Sequence, residues 1–238
     1  MKYKNVTTSL SLENPNVQKI IEITKEFIKK NQILKVKKIY NIAVRSLDIS
    51  SRDILDIIQF LNNKKILIDG SKHTRDTILL NLYRKKMYHV IDSYNGATFS
   101  YLREKVFTDR SGSAGQLLWH LNMLLKFKYI KKIKVGNYSL FLPLDLEDDF
   151  GKLCFFMKDD LNRNIINLFM NHEKIKKPQV YKEINFKREN VNYRLKILMN
   201  HQILIYKDES TKEICITERM KEFLLENLAK IKFNNKLN

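Results

Sequence analysis

The sequence predicts an α+β chain, mainly helical with small β-hairpins, assembled from one small unit used in tandem three times. Three observations predict it. The composition supplies core-forming material together with a large basic surplus. A pattern of helix running into strand recurs three times. A shorter amphipathic helix stands ahead of each recurrence.

The chain has 238 residues, 44% of them hydrophobic and 29% charged, which suits two or three small domains with ordinary cores. Apolar runs such as Leu153 to Met157 fall far short of the roughly 18 residues that a membrane-spanning helix needs. The opening MKYKNVTTSLSLENPN has no secretory apolar stretch. Cys154 and Cys215 are the two cysteines, each inside an apolar run. A disulfide framework is therefore not expected, and a cytoplasmic setting is. The net charge is +18, which predicts an anionic partner, nucleic acid first. An AT-rich genome would also enrich Lys, Asn and Ile. The surplus is uneven, however: 14 basic against 7 acidic side chains in residues 1–73, 12 against 4 in 74–143, and 18 against 15 in 144–238. Codon bias alone does not produce that distribution.

The recurring segments are ILDIIQFLNNKKILID, LLWHLNMLLKFKYIKKI and VNYRLKILMNHQILIYK. Superimposing Ile57, Leu121 and Leu195 brings together Phe60, Leu124 and Leu198, then Leu61, Leu125 and Met199, then Ile66, Ile130 and Leu204. The first three sets mark one helix face, and the fourth opens a strand. The preceding helices are Val36 to Leu47 with Ile39 and Ile42 inward, Thr98 to Val106 with Phe99, Leu102 and Val106 inward, and a helix after Pro178 with Val180 and Ile184 inward. Asp48, Asp109 and Ser111 are cap candidates in the intervening turns. Downstream, Tyr129 to Val135 and Tyr138 to Leu142 flank Gly136-Asn137, and Ile203 to Tyr206 and Glu213 to Ile216 flank a polar turn. Helix, turn, helix, hairpin is the winged helix-turn-helix order.

The run Gln116-Leu117-Leu118-Trp119-His120-Leu121, then Leu124, then Lys-Tyr-Ile-Lys-Lys-Ile-Lys-Val-Gly-Asn-Tyr ahead of Phe141 and Pro143, resembles archaeal-type winged helix-turn-helix transcriptional regulators. The resemblance is best over residues 85–143, weaker over 160–230 and weakest over 15–75. It implies a tandem array of such domains and transcriptional regulation.

These readings divide the chain into an arm (1–15), a degenerate first domain (16–73), a second domain (74–143), an acidic linker (144–151) and a third domain with a C-terminal helix (152–238). Helix one spans about Val17 to Asn31, with Ile20, Ile21, Phe27 and Ile28 inward. Thr74 caps a long helix that carries Ile78, Leu79, Leu82 and Val90 as far as Asn95, where Gly96 stops it. The last helix starts at Thr217-Glu218 and presents Met220, Phe223, Leu224, Leu228 and Ile231, a surface on which a homodimer would pair.

No catalytic constellation is evident. The five histidines form no HExxH pattern and stand beside no CxxC pair. Ser111-Gly-Ser-Ala-Gly115 lacks the first glycine of a nucleophile elbow and reads as a helix start capped by Ser113. Asp148-Asp149 and Asp159-Asp160 read as caps or solvated charge. The expectation is a non-enzyme with neither cofactor nor metal. The register above places Asp56, His120 and Arg194 at one outward position and Arg52, Gln116 and Asn190 at another, with Trp119 and Tyr193 sharing a third. Asp53 and Asp56 would repel phosphate, so the first copy is not expected to read DNA. The second offers Ser113, Gln116 and His120 with Lys131, Lys132 and Lys134 on its wing. The third offers Lys187, Arg188, Asn190, Tyr193 and Arg194. Double-stranded DNA is the expected partner. The alternative is a protein-interaction adaptor, as in ESCRT-II-like or general-transcription-factor-like subunits; the fold class serves both uses.

Overall fold

The computed structural model describes residues 10–107 and 112–227; Asp109, Ser111, Leu228 and Ile231 lie outside them. The described chain is mainly helical, with two small antiparallel sheets. In order it forms α1 (Pro15–Lys29), α2 (Val36–Ser46), α3 (Ser51–Asn63), α4 (Arg75–Ile78), α5 (Leu82–Ser93), β1 (Ala97–Thr98), α6 (Phe99–Val106), α7 (Ala114–Lys126), β2 (Ile130–Val135) and β3 (Tyr138–Pro143). There follow α8 (Asp148–Met157), α9 (Asp160–Asn171), β4 (Ile175–Lys176), α10 (Val180–Glu183), α11 (Arg188–Asn200), β5 (Leu204–Asp208), β6 (Glu213–Ile216) and α12 (Glu218–Asn227). Two compact units result. One takes the chain up to Met87 and again from Gly112 to Tyr129; the other takes over at Tyr88 and again from Ile130.

In the first unit, α1 to α3 enclose a core of Val17, Ile20, Ile39, Ala43, Ile54, Ile57, Ile58 and Leu61. Asn14 caps α1 by accepting from the Asn16 amide (2.9 Å), and Pro15 at the first turn needs no hydrogen-bond partner. Ser50, not Asp48, caps α3, accepting from the Asp53 amide at 3.1 Å. Ile42 faces outward, because the buried stripe of α2 runs through Ile39 and Ala43, one full turn apart. The hairpin expected after α3 does not form. Asp69 and Gly70 return at once to the start of α2: the Val36 amide donates to Asp69 Oδ1 (2.8 Å), Gly70 N–H to the Leu34 carbonyl (2.8 Å) and Leu34 N–H to the Ser71 carbonyl (2.8 Å).

The long helix expected from Thr74 to Asn95 is broken. α4 ends at Ile78 and α5 restarts at Leu82, leaving Leu80 and Leu82 81% and 62% exposed. The break frees the Ile78 carbonyl, and the Arg84 side chain takes it, Nε donating at 2.6 Å. Asn81 Oδ1 accepts from the Arg84 amide (3.2 Å), so the restart is capped as well.

The second unit holds both sheets, ordered β1-β3-β2 and β4-β6-β5. In each, a two-residue strand ahead of a helix pairs with the last strand of the hairpin: Ala97 opposite Phe141, and Ile175 opposite Ile214. The hairpin strands fall where the sequence placed them, with Gly136 (φ +57°) in the tight turn. Gly96 (φ +119°) lies where a Cβ would meet Leu142 Cδ2 at 2.5 Å, so both conformation and packing require glycine. Of the acidic stretch 144–151, only residues 144–147 connect elements, and the rest is helix. Asp148 opens α8, and Phe150 and Gly151 are buried, a Gly151 Cβ falling 2.7 Å from Leu142. Leu153, Ile165, Ile166, Phe169, Val191, Leu195, Leu198 and Ile214 continue the core. Met220 and Leu224 of α12 are buried, and Phe223 lies 5.7 Å from Phe150 of α8, so these three side chains of the expected face pack inside the unit.

Candidate nucleic-acid interface

α7 and α11 carry the expected helical site residues, and α3 is built like them. α3, α7 and α11 have 13 residues each and end in the same way. Lys65, Lys128 and Gln202 turn left-handed (φ +57°, +53° and +56°). The next amide in each donates back into the last turn: Ile66 to Leu61 (2.9 Å), Tyr129 to Leu124 (3.0 Å) and Ile203 to Leu198 (3.0 Å). This is the Schellman closure, made without glycine.

These shared ends correct the register of the first copy by one residue. Ile58, not Ile57, is equivalent to Leu121 and Leu195, and all three are buried. The residues grouped with Asp56 as outward are therefore equivalent to Ile57, an inward flank. His120 follows that position inward. It is 4% exposed, its ring 5.6 Å from Tyr83 and 4.8 Å from Trp119, and its Nδ1 has no hydrogen-bond partner. Burial, then the nearby Arg84 charge, lower its pKa below the ordinary 6.5. Arg194 is half-buried and turned toward α9, where it pairs with Asp159 at 2.9 Å while Asp159 caps that helix. Neither His120 nor Arg194 is free to meet a base.

The face that does look outward runs along a different line. In α11 it carries Arg188, Asn192, Tyr193 and Lys196, successive turns of one side. These residues, with Lys177, Pro178, Tyr206, Lys212, Met199 and Asn200, line an open groove between α11 and the β5–β6 hairpin. The lining holds four cations and no carboxylate. Lys177 Nζ donates to the Tyr206 hydroxyl (3.4 Å), and the Arg188 guanidinium lies 5.8 Å from the Tyr181 ring. Lys187 and Asn190 are exposed, Lys187 as the residue preceding α11 and Asn190 off the groove. Sequence reasoning reached Lys187, Arg188 and Tyr193 but missed Lys177, Asn192, Lys196, Tyr206 and Lys212. The spacing of Arg188, Asn192 and Lys196 at every fourth residue was the available signal.

The equivalent face of α7 is Ala114, Leu118, Trp119 and Asn122, and that of α3 is Ser51, Leu55, Asp56 and Gln59. Leu118 and Trp119 are 49% and 52% exposed. Ser113 caps α7, accepting from the Gln116 amide at 3.1 Å, and Gln116 is exposed beside it. On β2, Lys132 and Lys134 are exposed, whereas Lys131 is held by Asp148 at 2.9 Å. Asp53 accepts from the Ser50 hydroxyl (2.7 Å) and Asp56 is exposed, so the first helix presents acid.

The sequence is similar to that of a known protein. Over 165 residues the chain is 28% identical to an uncharacterized HTH-type transcriptional regulator of Methanocaldococcus jannaschii. The match covers 68% of this chain and 40% of that relative's length. No family model matches the sequence. Among the described residues no helix is long and apolar enough to cross a membrane.

Proposed function

We propose that the chain is a DNA-binding transcriptional regulator built from tandem winged helix-turn-helix segments, and that it grips duplex DNA chiefly through the third. The observation that carries the reading is the groove between α11 and the β5–β6 hairpin, into which Lys177, Arg188, Lys196 and Lys212 converge without a carboxylate. In a winged helix the second helix of the motif enters the major groove. Arg188 and Asn192 then stand against base edges, arginine suiting guanine and asparagine adenine. Lys177, Lys196 and Lys212 take phosphates and set the register. Lys187 at the head of α11, and Lys132 and Lys134 on β2, add backbone contacts. The name of the archaeal relative supports this reading.

In this reading residues 16–73 form a first segment without its wing, 74–143 a second, and the chain from Asp148 onward a third, with α8 as its opening helix. The first segment contributes no DNA contact, since Asp53 and Asp56 would face phosphates. No catalytic step and no cofactor form part of the proposal.

Fluorescence anisotropy of a labelled random duplex, titrated with the full chain at several salt concentrations, tests it. Affinity should fall linearly on a log–log salt plot with a steep slope. Binding that ignores salt, or no binding at low salt, overturns the reading.

A further inference from the structure

We propose that the outward face of α7 docks a protein segment that combines leucine-type side chains with carboxylates. The same helical face that is basic on α11 is apolar on α7: Leu118 and Trp119 take the places of Asn192 and Tyr193, and Ala114 and Asn122 those of Arg188 and Lys196. A face meant for phosphates gains nothing from this exchange, whereas a face meant for a protein does. The apolar surface continues onto the neighbouring break in the chain. Leu80 and Leu82 are exposed there, and contacts from Tyr83 to His120 and from Arg84 to Trp119 (5.7 Å) tie that break to α7. Exposed leucines and a tryptophan grouped in this way mark an interaction surface.

Charge selects the occupant. Arg84 is 3% exposed, and its Nε is spent on the Ile78 carbonyl. Among the described residues no carboxylate pairs with it, and burial holds its pKa below the ordinary arginine value. Beside it His120 keeps an unpartnered Nδ1 at 4% exposure. A buried, uncompensated guanidinium under the tryptophan attracts a carboxylate brought in by a partner and repels a basic segment. Aliphatic side chains over Leu118 and Trp119 would supply the contact area.

Trp119 is the chain's single tryptophan, so its emission reports on this face directly. Three synthetic peptides with one spacing are the probes: leucine with glutamate, leucine with lysine, and serine with glutamate. The leucine–glutamate peptide should shift Trp119 emission to the blue and saturate, and the other two should not. Leu118→Asp should weaken that peptide, followed by its own label, at least about tenfold. Leu82→Ser is the second variant, and circular dichroism verifies the fold of each. Lys196→Gln should leave the peptide affinity unchanged. Three results overturn the proposal: no response to any peptide, equal response to the basic peptide, or a Trp119 response to duplex DNA that Leu118→Asp abolishes. The last would make α7 a second DNA reader. Because DNA binding is followed separately by anisotropy, failure here leaves the α11 groove untouched.

Discussion

Neutralising the groove cations tests the functional reading where it is most exposed. Four cations line the groove, and if Lys177, Lys196 and Lys212 each meet one phosphate the log–log salt slope they contribute is about −2.7, at about 0.9 per phosphate. A fourfold rise in salt then weakens the groove's share of binding roughly 40-fold. The triple variant Arg188→Gln, Lys196→Gln, Lys212→Gln leaves one groove cation and a contribution near −0.9, so the same rise should cost that share only about 3–4-fold. A control variant removes an equal charge elsewhere: Lys19→Gln, Lys29→Gln and Lys37→Gln, all exposed on the first unit. It should keep the wild-type slope, because the slope counts the phosphates that the groove contacts and not the net charge. The assay is anisotropy with one labelled duplex across a salt series. If both triple variants flatten the slope equally, binding follows net charge and the groove is not the site. If neither does, Lys196 and Lys212 do not meet phosphate at all.

Arg194→Ala should leave base preference in a binding-site selection unchanged and cost at most about 1 kcal/mol of stability, since its exposed-edge pair with Asp159 is its role; a relaxed base position would contradict this. His120 titrates below 6.5 when folded, so its contribution to stability is fully present above that value and is lost as pH falls from 6.5 toward the lower folded pKa. His120→Leu should flatten this acid limb in urea melts at neutral and mildly acidic pH, and an unaltered limb would refute the assignment. Gly96→Ala combines a left-handed φ with a 2.5 Å approach to Leu142, so it should cost about 1–3 kcal/mol in denaturant unfolding, and a neutral result would refute the close packing.

The hairpins and the three long helices were legible because their signals are periodic. Alternation in Ile130 to Val135 and the repeat around Leu121 and Leu195 need no tertiary information. Features that depend on one or two residues were not legible. β1 and β4 are dipeptides whose strand state comes from pairing with Phe141 and Ile214, and no period exists in two residues. The helix ends were hidden because Lys65, Lys128 and Gln202 adopt the conformation that glycine announces. Without that landmark, Phe60-Leu61 and Leu124-Leu125 look like equivalent pairs, and the first copy slipped by one residue. The slip had a functional consequence, because one residue on a helix is 100° and carries an inward flank to an outward one. The break at Leu79 to Asn81 was missed for a related reason. Ile78, Leu79 and Leu82 keep helical spacing, and the carbonyl released at Ile78 is satisfied by a side chain six residues away.

Once the register is right, the three equivalent faces differ in kind. α11 presents Arg188, Asn192, Tyr193 and Lys196; α7 presents Ala114, Leu118, Trp119 and Asn122; α3 presents Ser51, Leu55, Asp56 and Gln59. The buried sides do not differ in this way: Ile58, Leu121 and Leu195 fill one place and Leu61, Leu124 and Leu198 another. Packing therefore holds the inner side of each helix to large aliphatic residues, while the outer side is set by what it meets. A genome-wide drift toward lysine would load all three outer faces alike, yet only α11 gains cations there. The distribution of charge over equivalent positions, more than the total of +18, is what supports the proposal of an anionic partner.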